Sequence, residues 1–503
     1  MEIYPKLEKF LKLSEHYNVI PIYTEIPADL ETSISLFYKL FNEREYIFLL
    51  ESMEGPEKWA RFSFIGFEPY LIFKSKEEKI ILQQEENSQY QYTSENPLEE
   101  LKKILSKFKA PYIKELPRFW GGAVGYASYE IISFFERRIL RGEDTLNFYD
   151  LFFIFPKQIL IYDRLKHTYL ILSLVFLESK DLKKGEDLKS LYKEGGNKLK
   201  KVVSTLKERK VEVPKVSKEL SLCAEIEKRT FLEMVKKAKE YIEAGDIIQV
   251  VLSQRFFLED EIFLNPHSSF LLYRGLRKIN PSPYMFYLKL EDEVLIGSSP
   301  EILIRTEGKG VETRPIAGTR RRGVTEEEDR ALEQELKKDV KELAEHIMLV
   351  DLGRNDIGRV SRYGTVEVYE LLTVERYSHV MHLVSGVKGE LKDGEDMFSA
   401  FRASFPAGTV SGAPKIRAME IIRELEKRVR GPYAGAVGYF SFSQNMDFCI
   451  TIRTFFQKKN RLYLQAGAGI VADSIPEREY EETINKAKAL EKALELFGKG
   501  YFL

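Results

Sequence analysis

Two pairs of glutamates stand three residues apart, and each pair falls on one face of a predicted helix. In the C-terminal helical pattern Glu479 lies inside the apolar stripe and Glu482 borders it, whereas Glu481 points the other way. Glu342 and Glu345 share one face of an earlier helical pattern. A carboxylate on a buried stripe is costly unless it is paired, hydrogen-bonded or bound to a metal. Because Mg²⁺ takes one or two protein carboxylates, the two pairs together would suit a magnesium site.

Each glutamate pair also has a simpler interpretation. Acidic residues in a first helical turn complement the helix dipole, and Glu482 can pair with Lys486 one turn later. Glu342 and Glu345 alone are typical of a solvated helix face. Periodicity does not decide whether the two helices meet, so both interpretations stay open at this level.

Three further features could hold an anion or move a proton. The small residues at 466–469 end a predicted strand, where backbone N–H groups can form a nest for a carboxylate or simply a tight strand exit. Arg453 alternates with Cys449 and Thr451 on a short strand, so its guanidinium could bind a carboxylate or form a structural ion pair. His382 lies in an apolar run, where a histidine is usually a satisfied core residue.

The elements that must position these residues fall into two parts. Short apolar or alternating runs from about 46 to 177 predict a strand-rich region. The Lys- and Glu-rich segment at about 179–220 predicts a charged linker that contains one amphipathic helix. Beyond it, strand-like runs interleave with helical patterns, which indicates α/β structure and a division into 1–215 and 216–503. The predicted helices of the second part cover about 228–244, 325–351, 413–427 and 476–497.

The C-terminal helix has the clearest predicted start. Ser474 followed three residues later by Glu477 predicts a capping box, and Pro476 suits the first turn. Gly498 follows the last apolar residue, as is common at a helix end.

Composition excludes several classes of protein. With 503 residues, 44% hydrophobic and 31% charged, the chain has the composition of a folded protein of several lobes. Its 77 Lys and Arg against 78 Asp and Glu give no basic field for nucleic acid. The two cysteines, Cys223 and Cys449, predict neither a disulfide framework nor a zinc site, which favours the cytoplasm. We expect no secretion signal and no membrane span.

Longer motifs run through the chain in a constant order. They include Leu49-Leu50-Glu51-Ser52, Ser298-Ser299-Pro300-Glu301, Pro315-Ile316-Ala317-Gly318-Thr319 and Gly412-Ala413-Pro414-Lys415, with further matches at 60–66, 245–251, 280–285, 345–356, 377–383, 408–411 and 473–476. On these motifs the chain resembles the chorismate-utilising enzymes, and among them the anthranilate synthase component I family.

The resemblance implies a fold and a place for the site. The expected fold is a large α/β (α+β) one of two interleaved subdomains, with antiparallel sheets packed face to face, helices outside and the active site in the cleft between. It implies that 1–215 is the N-terminal region of this family and that 216–503 is the chorismate-binding catalytic domain.

The resemblance also implies roles for the chemically interesting residues. Glu345 and Glu482 would ligate Mg²⁺, with Glu342 and Glu479 assisting directly or through water, and the ion would hold the ring carboxylate of chorismate. The enolpyruvyl carboxylate and the remainder of the substrate would meet Tyr433, Arg453, Gln249, Gly318, Thr319, Gly467, Ala468, Gly469 and Lys486.

The implied reaction is attack of ammonia at C2 of chorismate with loss of the C4 hydroxyl, giving 2-amino-2-deoxyisochorismate, and then elimination of pyruvate. Glu301 is the candidate general acid for the departing hydroxyl, because a buried carboxylic acid can stay protonated near neutral pH. His382 is the candidate for the second step, and Thr409 is a third catalytic candidate.

Sister activities remain as alternatives. Isochorismate- and salicylate-forming relatives typically carry a lysine where this chain has Gln249, and an amide cannot activate water as that base does. Many aminodeoxychorismate synthases carry a lysine where this chain has Ala317, although some lack it. A non-catalytic tryptophan-binding relative is a remoter alternative, which the intact set of glutamates with His382 and Arg453 disfavours.

Regulation and partners are also implied by the resemblance. A tryptophan feedback site would comprise Glu51, Ser52, Pro283, Tyr284, Met285 and Cys449. Neither cysteine lies in a Gly-x-Cys-x-Gly elbow, so ammonia would come from a separate glutamine amidotransferase subunit, in a heterotetramer, with free ammonia as a substitute.

Overall fold

The computed structural model describes residues 1–41, 44–53, 61–84, 88–178, 185–210, 216–377 and 380–500. Within these ranges the strands form antiparallel ladders throughout. They are β1 (Val19–Pro27), β2 (Tyr46–Glu51), β3 (Phe62–Lys76), β4 (Lys79–Gln84), β5 (Ser88–Thr93), β6 (Gly122–Ala127), β7 (Leu151–Asp163), β8 (Thr168–Phe176), β9 (Cys223–Ala224), β10 (Gln249–Glu259), β11 (Tyr284–Leu290), β12 (Glu293–Ser299), β13 (Ile302–Glu307), β14 (Gly310–Thr313), β15 (Ile316–Arg321), β16 (Glu367–Arg376), β17 (Val380–Glu390), β18 (Gly412–Ala413), β19 (Ala436–Ser441), β20 (Met446–Ile450), β21 (Thr454–Lys458) and β22 (Arg461–Ile470).

Helices cover the outer faces of the strands. They are α1 (Leu7–Ser14), α2 (Ser33–Phe41), α3 (Pro97–Leu105), α4 (Ile132–Phe135), α5 (Gly185–Glu208), α6 (Lys228–Glu243), α7 (Pro266–Ile279), α8 (Glu326–Lys338), α9 (Val340–Gly358), α10 (Met397–Ser404), α11 (Lys415–Glu426) and α12 (Pro476–Gly498). In the described part of the chain, no helix is long and apolar enough to cross a membrane.

Strands β3 and β7 each belong to two sheets. They pair along their whole lengths, while the free edge of β7 pairs first with β6 and then with β8. The β3–β7 register shifts between Pro69 and Leu71, next to Glu68, whose φ is 54°. A bulge at this point lets a long strand bend, so both strands pass from one sheet into the other.

The two sheets extend from this shared pair in opposite directions. The first runs β1-β8-β7-β3-β2-β11-β12-β21-β22-β10, with β9 and β18 on the outer edge of β10. The second runs β5-β4-β3-β7-β6-β19-β20-β13-β14-β17, where β17 also pairs with β15 and β16. This large antiparallel architecture with outer helices confirms the predicted fold class.

The chain crosses between the sheets twice more, in adjacent positions. Residues 300–301 connect β12 of the first sheet to β13 of the second, and residues 451–453 connect β20 of the second to β21 of the first. The Ile450 N–H donates to the carbonyl of Glu301 at 3.0 Å, and the Ser298 N–H donates to the carbonyl of Arg453 at 3.1 Å. These backbone bonds hold the two crossovers side by side.

The predicted linker contains the expected amphipathic helix. Leu199, Val202 and Leu206 of α5 are buried in the core under β1 and β8. Parts of the predicted linker, 179–184 and 211–215, lie outside the described residues. Both large core clusters take side chains from before and after residue 215, and the predicted domain boundary stays a prediction.

Two helix predictions need correction. The single helix expected over 325–351 is two helices, because Asp339 leaves the helical conformation and its carboxylate caps α9 by accepting the N–H groups of Lys341 and Glu342. The last helix starts at Pro476 as predicted, but the capping box is wrong. Its N-cap residue is Ile475, and the Ser474 hydroxyl accepts the Val471 N–H at 3.0 Å instead.

Candidate active site

A cavity of about 240 Å³ opens between the β10 end of the first sheet and the β15–β17 end of the second. The strands β10 and β22 and the helix α12 form one wall, while β15, β17 and α9 face them. Most of the residues predicted for catalysis, substrate and metal line this cavity, namely Gln249, Glu301, Thr319, Glu345, His382, Thr409, Tyr433, Arg453, Gly467, Gly469, Glu482 and Lys486.

Four predicted site residues lie beside the cavity rather than on its surface. Ala468 faces the core between β10, β22 and α6, because it alternates with the two lining glycines on β22. Gly318 contributes its carbonyl to His382. Glu342 forms an ion pair with Arg320 at 3.1 Å, and Glu479 is buried in the first turn of α12.

Arg453 is built as an anion receptor. Its φ of 51° lies in the left-handed region, which is strained for an arginine and re-aims the side chain at the crossover. Within the described residues its guanidinium makes no hydrogen bond and no ion pair, although it lines the cavity. Burial lowers its pKa, while Glu482 and Tyr433 act in the opposite direction. A largely desolvated and unpaired guanidinium fork is suited to bind a carboxylate in a bidentate manner.

Glu301 is a buried carboxylic acid on the neighbouring crossover. Glu301 is 7% exposed and has no cationic partner in the described part of the chain, so burial raises its pKa to about 8. The Thr409 hydroxyl and the Ile316 N–H partly oppose this rise. The Thr409 hydroxyl is itself buried without a hydrogen bond of standard geometry. Glu301 is therefore protonated at neutral pH and able to donate a proton into the cavity.

His382 presents one ring nitrogen to the cavity. Its Nδ1 lies 3.2 Å from the carbonyl of Gly318 and 3.0 Å from the Thr319 hydroxyl. A carbonyl only accepts, so Nδ1 carries the hydrogen and the neutral ring keeps Nε2 free as a base. Burial lowers the pKa of His382, and this favours the neutral form. The histidine is thus suited to accept a proton.

Glu345 and Glu482 bring carboxylates from α9 and α12 to the same cavity. Burial raises the pKa of Glu345, and the nearby charges of Glu342 and Glu482 raise it further, whereas Gln249 and Lys341 act against them. Glu482 pairs with Lys486 at 2.6 Å. Among the residues described, no group of three or more His, Cys, Asp or Glu side chains already surrounds one metal position.

The donor set nevertheless fits a hard divalent cation. Two helices place carboxylates at the cavity, and among the described residues the neighbouring Gln249 Oε1 is buried without a hydrogen-bond partner. Oxygen donors of this kind match the preference of Mg²⁺, which leaves several positions for water and substrate oxygens. The assignment of all four glutamates to the metal stays a prediction.

Two glycines of β22 let polar side chains approach the strand. A Cβ at Gly467 would lie 2.7 Å from the Tyr433 hydroxyl and 3.0 Å from the Leu252 carbonyl. A Cβ at Gly469 would lie 2.6 Å from Nε2 of Gln249. The small residues therefore make room for neighbouring side chains at the cavity wall.

Some lining residues were not predicted. Gln465 alternates with the predicted lining residues Gly467 and Gly469 on β22, and this alternation could have indicated it. Ile316 lines the cavity from β15 without such a signal. Apolar walls come from Val251, Val410, Ile452, Leu464 and Leu490. Val251 and Val410 fall within family motifs, but their side chains do not differ in type from those of core residues.

A second pocket contains all six residues predicted for tryptophan. It lies between β2 and β11 of the first sheet and β19 and β20 of the second, and Glu51, Ser52, Pro283, Tyr284, Met285 and Cys449 line it. Burial opposes ionisation of Glu51, but Arg277, Tyr273 and Arg164 hold its pKa below the ordinary value. Both of its carboxylate oxygens already accept hydrogen bonds. One of them, Oε1, accepts from Tyr273 at 2.6 Å and from Arg277 at 2.7 Å.

Known proteins with similar sequences belong to the family that the motifs predicted. The model of the chorismate binding enzyme family matches residues 46–492. Anthranilate synthase component 1 of Acetivibrio thermocellus is 50% identical over 500 residues, which are 99% of each chain. The protein of the same name from Aquifex aeolicus (strain VF5) is 48% identical over 502 residues, again 99% of each chain.

A solved structure gives the same result. The crystal structure of anthranilate synthase component I from Streptococcus pneumoniae TIGR4 matches with a TM-score of 0.72 and 39% sequence identity, over 87% of this chain and 93% of that chain. The predicted family is confirmed, and with it the prediction that the chain is an enzyme. This chain belongs to the chorismate binding enzyme family, among its anthranilate synthase component 1 members.

Proposed function

We propose that this chain is the large subunit of an anthranilate synthase, which converts chorismate and ammonia to anthranilate and pyruvate in the first step of tryptophan biosynthesis. The names of its relatives support this assignment. The observation that carries it is the position of two groups on adjacent crossovers at one cavity: the Arg453 guanidinium, which has no partner among the described residues, and the protonated acid Glu301. Such a site can bind a carboxylate and protonate a leaving hydroxyl of the same molecule.

Substrate binding uses the charges of the cavity. Chorismate has two carboxylates, and we assign the enolpyruvyl carboxylate to Arg453 and the Tyr433 hydroxyl. Glu345 and Glu482 would hold Mg²⁺, with Glu342 and Glu479 supporting them. When bound, the ion would neutralise the ring carboxylate and polarise it as a Lewis acid. Gln249, Thr319 and Lys486 line the remaining wall.

In the first step, the nitrogen of ammonia forms a bond to C2 of the ring. Both double bonds of the ring shift, the C4–O bond breaks, and the attacking nitrogen, first an ammonium, gives up one proton to become the amine. Glu301 gives its proton to the departing oxygen, which leaves as water, and the product is 2-amino-2-deoxyisochorismate. Because the pKa of Glu301 is about 8, its protonated form dominates at neutral pH. The nearby Thr409 hydroxyl lowers the pKa of this acid and so stabilises the carboxylate that remains after the proton has left.

In the second step, a proton leaves C2 and the C3–O bond breaks, so that the enolpyruvyl group departs as pyruvate and the ring becomes aromatic. Nε2 of His382 is the proposed acceptor of the C2 proton. The bond from Nδ1 to the Gly318 carbonyl fixes the tautomer that leaves Nε2 able to accept.

The lining residues also favour this activity over its sister reactions. Gln249 contacts Glu345 at 3.4 Å, in the place where a water-activating lysine would be needed for isochorismate formation. Ala317 lines the cavity in the place where many aminodeoxychorismate synthases carry lysine. Neither position provides a base for the alternative chemistry.

We further propose that a glutamine amidotransferase subunit supplies ammonia in a cytoplasmic heterotetramer, and that tryptophan inhibits by binding at the second pocket. The shared pocket of the six predicted residues supports the latter. Inhibition requires that tryptophan prefer a state with a less competent active site.

The decisive assay measures ammonium-dependent turnover of chorismate by the purified chain with Mg²⁺, and identifies the product by chromatography. We expect anthranilate and pyruvate in equal amounts, with suppression by tryptophan and by chelation. Formation of 4-amino-4-deoxychorismate would contradict the assignment and favour the folate-branch activity. Absence of turnover, with tryptophan still bound, would favour a non-catalytic role.

A further inference from the structure

A fully buried arginine lies directly behind the cavity. Arg430 is 1% exposed and forms a bidentate ion pair with Glu426, with N–O distances of 2.6 and 2.8 Å. Neither residue lines the cavity or was predicted for the site. Burying a charge in this way is expensive, so its hydrogen-bond partners indicate what the arginine does.

The donors of Arg430 reach two separate segments of the cavity wall. Nη1 donates to the carbonyl of Val410 at 2.7 Å, and Nη2 donates to the carbonyl of Val251 at 2.8 Å. Val410 ends the short 3₁₀ turn at 408–410 that contains Thr409, and Val251 belongs to β10. One planar guanidinium thus fixes the distance between the turn and the strand.

The aromatic ring of Tyr433 is held by the same group. The Arg430 guanidinium lies 5.6 Å from the centre of the Tyr433 ring and 4.8 Å from the centre of the Tyr129 ring. The backbone N–H groups of Arg430 and Gly431 both donate to Glu130, at 2.8 and 2.9 Å. These contacts fix the start of the segment that carries Tyr433.

Glu426 extends the network to the opposite strand. Its carboxylate accepts the N–H and the hydroxyl of Ser253 at 2.8 and 2.9 Å, and the Ser253 hydroxyl accepts from the amide of Gln465 at 2.8 Å. Gln465 lines the cavity from β22. The ion pair therefore contacts four segments that line the cavity, directly or through one residue: the turn at 408–410, β10, the segment that carries Tyr433, and β22.

We propose that Arg430 and Glu426 form a positioning pair for the reaction, which holds Thr409 against Glu301 and Tyr433 against the substrate carboxylate. The proposal rests on the proposed function, because it assigns the pair a role in that reaction. A lysine cannot replace the arginine, since an ammonium cannot donate along four fixed directions of a planar fork.

The test compares Arg430→Lys with Arg61→Lys. Arg61 also forms a bidentate pair, with the buried Asp163, but neither of those residues lines the cavity. Both variants are expected to unfold at a lower temperature than the parent and to stay folded at 25 °C. Arg430→Lys should lower kcat by at least about tenfold, because small misplacements of catalytic groups are costly. Arg61→Lys should leave kcat within about twofold of the parent.

Two further measurements separate positioning from general destabilisation. Loss of the Thr409 contact should raise the pH at which the rate of Arg430→Lys declines, because the Thr409 hydroxyl lowers the pKa of Glu301 and this effect is lost when Thr409 is displaced. Ser253→Ala removes the hydroxyl bonds to Glu426 and Gln465 but keeps the backbone N–H bond to Glu426. It should lower kcat about threefold without a change in that pH.

Two outcomes separate the proposed function from the positioning role of Arg430. If the parent chain makes no anthranilate from chorismate and ammonium, the proposed function is wrong. If the parent is active and the folded Arg430→Lys variant keeps its kcat and pH profile, the positioning role is wrong.

Discussion

Arg453 and Glu482 line the same cavity without forming an ion pair, because the Glu482 carboxylate lies 2.6 Å from the ammonium of Lys486. The guanidinium is therefore available to a ligand. The carboxylate can exchange its lysine partner for a cation, since Lys486 also donates to the Gly467 carbonyl at 2.8 Å.

Arg453→Lys should lower kcat/KM for chorismate by about 100-fold, mainly through KM, because a lysine keeps the charge but loses the bidentate fork. Steady-state kinetics with saturating ammonium would measure this. Arg461→Lys is the matched control, since Arg461 is an exposed arginine on β22 that pairs with Glu259. An equal loss in both variants would contradict the assigned role of Arg453.

Glu301→Gln should lower kcat by roughly 10² to 10⁴, because an amide cannot donate the proton that the departing hydroxyl needs. In the parent, the rate should fall as the pH rises through about 8, where Glu301 loses its proton. A pH–rate profile of kcat from 6 to 9.5 would show this limb. A flat profile across pH 8, or a Glu301→Gln variant with parental kcat, would remove Glu301 as the acid.

The same carboxyl makes stability depend on pH. Its pKa rises from 4.5 to about 8 on folding, so the folded chain binds the extra proton between these values. The free energy of unfolding should therefore fall as the pH rises through this window, and Glu301→Gln should weaken the fall. Denaturant titrations of parent and variant at pH 5 and pH 8 would measure the difference.

Glu345→Gln should raise the Mg²⁺ concentration needed for half-maximal activity by at least about tenfold, because it removes a charged oxygen donor from the cavity. Glu342→Gln should have a smaller effect, since Glu342 pairs with Arg320 outside the cavity surface. Glu481→Gln is the control, since Glu481 neighbours Glu482 on α12 but is absent from the lining of the cavity and lies near Lys228. Equal magnesium requirements in Glu345→Gln and Glu481→Gln would contradict a metal role for Glu345.

The two glycines of β22 should differ in their tolerance of alanine. At Gly469 the new methyl group meets the movable end of Gln249, so Gly469→Ala should keep the fold and lower kcat modestly, by about threefold. At Gly467 it meets the Leu252 carbonyl as well as Tyr433, so Gly467→Ala should be clearly more damaging. Thermal unfolding and kcat/KM of both variants test the order. The reverse order would contradict the geometry of this wall.

Tryptophan should raise the unfolding temperature of the parent chain by binding the second pocket. Ser52→Leu should fill part of that pocket and abolish both the shift and the inhibition, while kcat without tryptophan stays within about twofold. Differential scanning calorimetry and inhibition assays measure these effects. Retained inhibition in a folded Ser52→Leu variant would place the inhibitor elsewhere.

Part of this arrangement could be predicted from the sequence. Helical periodicity placed Glu345 and Glu482 on helices, although the helix of Glu345 begins at Val340 and not near 325. The predicted strand position of Arg453 is wrong, because β20 ends at Ile450 and Arg453 lies in the crossover before β21. Periodicity describes one element at a time, so it could not show that α9 and α12 meet at one cavity. The family motifs supplied that connection.

Other features could not be read from local patterns. The left-handed conformation of Arg453 and the sheet crossovers depend on which strands pair, which is set by contacts over more than 100 residues. Ser474 has the sequence of a helix cap, yet it bonds to Val471 because the preceding turn offers that N–H at a suitable position. The sequence around Arg430 does not indicate that this arginine is buried, because partners such as Val251 come from distant parts of the chain.

The sharing of β3 and β7 by both sheets has a consequence for how the molecule opens. A fluctuation that separates one sheet must break pairing along strands that the other sheet also needs, so the two sheets should open together as one cooperative unit. Amide hydrogens of β3 and β7 should then exchange only through global unfolding, at the slowest rates in the chain. The second pocket lies between these two sheets, so the backbone on its two sides could move apart only if both sheets opened together.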